Sequence, residues 1–447
     1  MSPLPIDDLP WPPGFAGNLA RFIYRSAPRP VKEVAVTATL GLLAGVCGRR
    51  FQISNTGLNL YIILVARSGI GKEALHSGIS LLMKLGADIH LAEGFADFDD
   101  FASGPALQKA ILLRPSFVNV AGEWGRKLRL MASDRDGPMQ TLRTVMTNLY
   151  GKSGPNDSVG GLKYSNGENT VLGVKGAAFS FVGETTPVVF YEALTSSMME
   201  DGFLSRFTII SYTGERPPPN DDPRFQLEPD ELEHWKSILS CAVQAMTPLS
   251  RCDRIEVGYA NEDAEGKLFR FGAECDVALN ATDDEGRRQM LNRAHIKALR
   301  IAALLAVSDD EICPRIDLGH ATWAIALVRR DIEAMSARID SGDVGNDDHT
   351  RMDLLRAAMR DYFSRDFVGQ YNVAPGMREA GIVTYSFFQG RLRQKPAFSG
   401  HPLGSIKALD IALQGLIDAG YLAKVDPHKT KNDFEFGGRC FRLMAKP

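Results

Sequence analysis

The stretch Leu60–Glu73, LYIILVARSGIGKE, restricts the fold of this chain more than any other. A six-residue apolar run rich in β-branched residues feeds a loop of small residues that closes on Gly71-Lys72, and the amphipathic stretch Ala74–Leu85 follows. Strand, glycine-bearing loop and helix in this order build a phosphate cradle. Backbone N–H groups at the helix N-terminus point inward, and a lysine offers a point charge to the β and γ phosphates. Ser68, Gly69, Ile70, Gly71, Lys72, Glu73 and Ala74 are therefore the expected nucleotide-binding residues, with ATP and Mg²⁺ as ligands.

The match to G-x-x-x-x-G-K-[ST] departs at two positions, Ala66 for the first glycine and Glu73 for the Ser/Thr. Ala66 adds only a methyl group. Glu73 replaces the hydroxyl that ligates Mg²⁺; a carboxylate can ligate it too, but it repels a triphosphate unless the metal lies between. Alternatively, Glu73 favours the positive end of its helix and points away. An ordinary βα turn is the competing reading of the loop.

The composition, 44% hydrophobic and 23% charged, is that of a globular chain. At 447 residues it should hold two to four compact units. No apolar run approaches the ~20 residues of a membrane span. The N-terminus, MSPLPIDDLPWPPGF, has no apolar segment and reads as no secretory signal. Cys47, Cys241, Cys252, Cys275, Cys313 and Cys440 form no C-x-x-C pair, and the histidines show no H-x-x-x-H spacing. A reduced, cytoplasmic protein without structural zinc is expected. Net charge is −3, which argues against a generic polyanion binder. From Arg351 onward, however, 15 Lys+Arg stand against 9 Asp+Glu. A basic tail on an acidic body hints at nucleic acid.

Residues 17–48 read as helices, Arg49–Ile53 as a strand and Asn55-Thr56-Gly57 as a turn. A helix at Ala106–Leu113, a strand at Ser116–Val120 and a helix at Pro138–Tyr150 follow, then strands at Ala177–Val182 and Phe207–Tyr212. Strands interleaved with helices imply an α/β fold with a mostly parallel sheet. The Gly- and Asn-rich segment 151–176 carries Lys152, Lys163 and Lys175 and suggests a hairpin. GERPPPNDDPRF (214–225) reads as a boundary, and helices are expected at Glu231–Met246, Asn261–Glu274, Asn280–Ser308 and Asp317–Ala337. SGDVGNDD (341–348) has a linker's composition. The tail is patterned like a winged helix, with helices at Arg351–Phe363, Tyr385–Gln394 and Ser405–Ala419. Strands at Tyr421–Val425 and Arg439–Leu443 then flank a charged loop. In such modules the third helix enters the major groove and the strand pair reaches the backbone. Lys407, Lys429 and Lys431 are the candidate DNA contacts there, although a winged helix also serves purely as a protein-binding module.

Three further motifs follow the loop. SFVNVAGE (116–123) is a buried strand ending in a carboxylate, where a P-loop ATPase places its metal-holding and water-polarising acids. The first acidic position is Gly122, so Glu123 stands alone as general base and metal-facing acid, alongside Glu73. A solvated strand-end glutamate is the alternative. FSFVGETTP (179–187) puts Glu184, Thr185 and Thr186 at the sheet's C-terminal edge, where ligands bind in open α/β folds, as sensors of the γ-phosphate or attacking water. A helix starting at Pro187 makes a threonine N-cap nearly as good a reading. DGFLSRF (201–207) places Arg206 just before a strand, as a guanidinium for a neighbour's γ-phosphate or as a surface ion pair.

Taken together, LNLYIILVARSGIGKE, NVAGEW, FVGETTP and DGFLSRF resemble the RecA-like ATPase domain of phage- and plasmid-borne replication proteins, the helicase half of primase-helicases. The resemblance covers roughly residues 15–340, and it implies ATPases that form hexameric rings, hydrolyse ATP at subunit interfaces and move on single-stranded DNA. By that correspondence Lys72 holds phosphate, Glu123 is the catalytic acid and Arg206 acts in trans. Gly122, where an acid is usual, is a departure. No primase domain is expected before residue 50.

The expected organisation is an N-terminal helical segment (1–50), a RecA-like P-loop core (51–222), a helical domain (223–340), a linker (341–350) and a winged-helix domain (351–447). The expected function is an ATP-dependent DNA motor, a replicative helicase of a phage or mobile element, with segment 151–176 as a channel hairpin. Two rivals stand beside it. One is an ATP-binding DNA-recognition or helicase-loading factor with little turnover; the other is an ATPase acting on a protein partner through its tail.

Overall fold

Five parallel strands form the central sheet of the computed structural model, which describes residues 10–447 apart from 134–136, 160, 162–172, 195–197, 199–201, 248–252, 341–347, 400, 402, 419 and 445–447. They are β1 (Tyr61–Ala66), β2 (Ala96–Asp97), β3 (Ser116–Ala121), β4 (Ala178–Thr185) and β5 (Phe207–Tyr212), in the order β2-β3-β4-β1-β5. Every residue of β1 and β3 is buried. A parallel sheet covered on both faces calls for such continuous apolar runs rather than alternation. The mostly parallel α/β sheet expected from the pattern is present.

Strand order positions the site. Because β4 lies between β1 and β3, its C-terminal end sits between the loop after β1 and the turn after β3. The register is explicit: Ala121 lies opposite Gly183, and Leu64 opposite Glu184.

Three helices pack around these strands first: α1 (Gly14–Ser26), α2 (Lys32–Cys47) and α3 (Glu73–Leu85). All but the first residue of α2 is buried, as befits a helix that is apolar all round. Its Thr37 and Thr39 hydroxyls donate to the Glu33 and Ala35 carbonyls at 2.7 and 2.9 Å, so no polar atom there is stranded. Gly41 and Gly45 let the helix lie directly on the sheet, since a Cβ at either would run into Val182 or the backbone of Val118. The helices Pro229–Ala242, Glu262–Asn280, Glu285–Asp309 and Leu318–Asp340 join the same continuous apolar core.

The edge strand β5 is covered by a buried ion pair. Lys297 Nζ lies 2.8 Å from Asp331 Oδ2 and also donates to the Phe207 carbonyl, while Asp331 Oδ1 accepts from the Ile209 N–H at 3.1 Å. Burial pushes the Asp331 carboxyl above its usual range, against the pull of Lys297. Backbone groups that an edge strand would leave open are thereby satisfied.

A short strand not expected from the pattern, Ile255–Glu256, pairs in parallel with Phe51–Ile53. Segment 214–225, expected as a plain boundary, is held against the end of α1: Asn220 Nδ2 donates to the Arg25 and Ala27 carbonyls at 2.7 and 3.0 Å, and Arg29 donates to the Pro217 carbonyl at 2.7 Å.

The chain divides into two compact units, Met1–Ala193 with Ser197–Ala334, and Leu194–Ser196 with Met335–Pro447. The second contains the helices Asp348–Ser364, Tyr385–Leu392 and Ser405–Asp418 and a three-stranded antiparallel sheet, with Cys440–Leu443 between Ile382–Thr384 and Leu422–Val425. Its own core gathers Leu355, Met359, Tyr362, Phe387, Phe388, Leu409 and Leu416. Three elements differ from expectation, the short helix Pro396–Ser399 among them. Ile382–Thr384 is a third strand, and the charged loop between the last two strands contains the helix Pro427–Phe434, N-capped by Asp426 with proline in its first turn. No described helix is long and apolar enough to cross a membrane.

Candidate nucleotide-binding site

The loop after β1 takes its shape from two glycines and one buried anchor. Gly69 and Gly71 have φ of +78° and +104°, backbone that L side chains rarely adopt. A Cβ at Gly71 would also collide with the Arg29 carbonyl behind it. Between them Ile70 is buried in the core and pins the loop down. Lys72 then caps α3, and Glu73 is its first helical residue, exposed to solvent.

Among the described residues, no backbone N–H from Gly69 to Glu73 donates a hydrogen bond within the chain; the first that does is Ala74, to the Gly71 carbonyl at 3.2 Å. A run of donors at a helix N-terminus without internal partners is what an anion site needs. The loop residues thus stand together as expected, with Ala74 turned into the core.

The turn after β3 is set by Trp124. Its ring is buried, 4.4 Å from that of Phe181, and Gly183 leaves room for it. Trp124 opens the helix Trp124–Ser133, so the chain must turn sharply at Glu123, which takes φ +52° and stands exposed at the strand end. A non-glycine residue held there costs about 1–2 kcal/mol, the kind of strain that collects at functional turns.

Glu184 is the third component. Its Oε2 lies 3.2 Å from Lys72 Nζ, with both side chains largely buried (11% and 21% exposed). That oxygen is buried and has no hydrogen-bond partner besides this charge contact. Its other oxygen lies 3.8 Å from where a side chain at Gly122 would begin, and beyond the chain neighbours no other described residue comes within 4 Å of that point. Thr185 turns to the opposite face, against Gly125, and is buried; the Thr186 carbonyl accepts from Phe190 as the helix Pro187–Ala193 opens. Of the three residues expected as sensors, Glu184 faces Lys72, and Thr186 sits at the helix start that made an N-cap reading possible.

Arg206 lies elsewhere. It ends the turn Leu204–Arg206, donates to the Gly202 carbonyl and immediately precedes β5. Tyr61 pairs with Phe207, so Arg206 sits by the beginning of β1, whereas Lys72 follows its end. Six strand residues separate the two edges, roughly 20 Å. Arg206 therefore cannot share a site with the Lys72 of its own chain.

The expected hairpin begins as an antiparallel pair, Ser158–Val159 with Val174–Lys175. Lys152 and Lys175 are exposed near the start of β4, on the same sheet edge as Arg206; Lys163 lies outside the described residues. In the second unit Lys407, Lys429 and Lys431 are all exposed, the last two on the helix Pro427–Phe434. The outer face of Ser405–Asp418 also carries Ile406, Asp410, Ile411, Gln414 and Asp418. With Lys424 and Arg439 it lines a cavity of about 530 Å³, bridged by an Arg439–Asp410 ion pair at 2.9 Å and a Lys424–Gln414 hydrogen bond at 3.0 Å.

Among the described residues no group of three His, Cys, Asp or Glu is arranged to hold a metal ion unaided. The free donors from Gly69 to Glu73, Lys72 and the orphaned Glu184 oxygen fit a magnesium–polyphosphate group. Glu73 and Glu123, the expected metal ligands, are both exposed near this edge, and neither carboxylate has a partner among the described residues. Arg29, whose backbone backs Gly71, carried no sequence signal.

A comparison with protein families finds no match, and neither does one with curated proteins. Among solved structures, the chain is similar to the full-length MCM homolog from Methanopyrus kandleri, at 13% identity and a TM-score of 0.37. The similarity covers 74% of this chain and 63% of that one, less than two thirds of its length. A likeness of that degree adds no weight to a functional reading.

Proposed function

We propose that the chain is an ATP-dependent DNA motor, a ring-forming helicase of the kind carried by phages and mobile elements, with ATP bound at subunit interfaces. The observation that supports this most is the run of unpartnered N–H groups from Gly69 to Glu73 around Lys72, beside Glu184 and with Glu123 on the far side of Glu184 at the same sheet edge.

In this reading the loop N–H groups and Lys72 bind the β and γ phosphate oxygens and orient the triphosphate. Glu123, exposed at the turn after β3, accepts a proton from water aligned for in-line attack on the γ-phosphorus. Glu184 and Thr186 register whether the γ-phosphate is present. Mg²⁺ bound with the nucleotide would supply charge neutralisation, and Glu73 and Glu123 are the carboxylates that would hold it. Arg206, at the far edge of its own sheet, reaches the site of the next subunit, which is the geometric reason to propose a ring. Lys152 and Lys175, on that same edge, contact DNA together with Lys163 of the same segment, in a core spanning 51–222 between helical segments.

Residues 351–447 form a winged helix whose Lys407, Lys429 and Lys431 contact duplex phosphates. A second reading of this module, a protein-binding domain, draws on one observation: the outer face of its third helix carries two carboxylates and two isoleucines around one lysine.

Phosphate release from ATP, measured with and without single-stranded DNA, tests the proposal. A motor is strongly stimulated. A loading factor binds ATP with weak turnover, and a protein remodeller ignores DNA; either result would remove the motor. Duplex binding across a salt series, with and without residues 351–447, tests the tail. Loss of the salt-dependent part on deletion supports DNA contact, and unchanged binding assigns the tail to proteins.

A further inference from the structure

We infer that Glu184 replaces, from the neighbouring strand, the carboxylate missing at Gly122, and that it faces the Mg²⁺ of the bound nucleotide. This rests on the phosphate-loop reading above. The register fixes the substitution: Ala121 pairs with Gly183, so Gly122 and Glu184 leave the sheet side by side. One Glu184 oxygen lies 3.8 Å from the point where a Gly122 side chain would start, and beyond the chain neighbours of Gly122 no other atom of the described residues lies within 4 Å of that point. The second oxygen is buried, lacks a hydrogen bond and contacts Lys72 Nζ at 3.2 Å. A carboxylate stem rooted on β4 thus delivers its charge to the place that an acid on β3 would fill.

Lys72 neutralises that charge in the protein as it stands. An arriving polyphosphate competes for Lys72 and releases a carboxylate that would repel it, unless a divalent cation lies between them. Glu184 therefore makes nucleotide binding depend on the cation: it opposes bare nucleotide and favours the magnesium complex.

The test is equilibrium binding of fluorescently labelled ADP, in EDTA and over a Mg²⁺ titration. Wild type should bind weakly in EDTA and much more tightly with Mg²⁺. Glu184→Gln should bind at least as well as wild type in EDTA and lose roughly 10-fold or more of the Mg²⁺ enhancement, the scale on which metal affinity responds to lost carboxylate support. Adding Gly122→Asp to that variant should restore the enhancement, since Gly122 has ordinary φ and open space for the new carboxylate. Thermal unfolding checks that each variant is folded. Should the Gln variant not fold, Glu184→Asp, which withdraws the carboxylate by one methylene, reads the same quantity.

Full Mg²⁺ enhancement in Glu184→Gln, or no recovery in the double variant, overturns the assignment while leaving nucleotide binding in place. A wild type that binds no nucleotide, or a Lys72→Ala variant that binds it undiminished, overturns the phosphate-loop reading itself and the assignment with it.

Discussion

Lys72 Nζ sits 3.2 Å from Glu184 Oε2, joining the phosphate loop to the end of a strand more than a hundred residues away. Neither partner is fully solvated, so each depends on the other for charge balance. A double-mutant cycle of Lys72→Met and Glu184→Gln, read by denaturant unfolding without nucleotide, should give a coupling of about 1–3 kcal/mol. Strictly additive effects would mean that the pair contributes nothing.

Glu123→Gln should retain nucleotide binding while turnover falls at least ~100-fold, within the range of general-base effects. Single-turnover hydrolysis on preformed complexes checks this. Undiminished hydrolysis would place the catalytic acid elsewhere.

Arg206→Ala should bind ATP nearly normally yet hydrolyse it slower by ~10³ or more, as loss of an arginine finger does. Mixed with Lys72→Ala subunits it should regain part of the activity, because a mixed interface can pair an intact loop with an intact arginine. Absence of rescue in subunits shown to co-assemble would remove the trans role, and with it the main geometric reason for a ring.

Asp309 ties the N-terminal helix to the core. Its Oδ1 accepts from the Phe15 N–H at 2.7 Å, and its Oδ2 accepts from His320 Nε2 at 3.0 Å. On the other side of the ring, His320 Nδ1 lies 3.2 Å from the Asp317 backbone N and 3.3 Å from its Oδ1. Burial pushes the Asp309 carboxyl up, but the His320 and Phe15 hydrogen bonds outweigh it and hold it below the usual range. A carboxylate lowered in the folded state contributes stability that is present above about pH 4 and is lost as pH falls through its folded value. Asp309→Asn should cost about 1 kcal/mol at neutral pH, a modest figure because the carboxylate is partly exposed, and should flatten the acid limb of stability. Unfolding curves from pH 3 to 7 measure both. Wild-type stability with a wild-type acid limb would contradict the role.

The phosphate loop was legible because its demands are local: an apolar run, two glycines where φ must be positive, and a lysine at the helix start. Helix α2 was legible for the same reason, as an apolar stretch with no break. Ile255–Glu256 was not, since two residues pairing with Phe51 some two hundred positions away leave no periodic trace. The helix Pro427–Phe434 lacks an apolar face, yet Asp426-Pro427 was a usable start signal. Glu184 was found as an edge residue, but its contact with Lys72 depends on β4 lying between β1 and β3, and strand order is not written in any one segment. Arg206 was found by motif alone; its separation from Lys72 by the length of a strand emerged only from the register.

Equilibrium ATP binding by calorimetry, wild type against Lys72→Ala, tests the central claim most directly. Of the loop's two cationic side chains, Arg67 and Lys72, Lys72 stands at the helix start and already lies against Glu184 at the site. Wild type should bind ATP, and Lys72→Ala should lose tight binding while remaining folded. Equal affinity in the two proteins would mean that nucleotide, if bound at all, is held somewhere other than Gly69–Glu73.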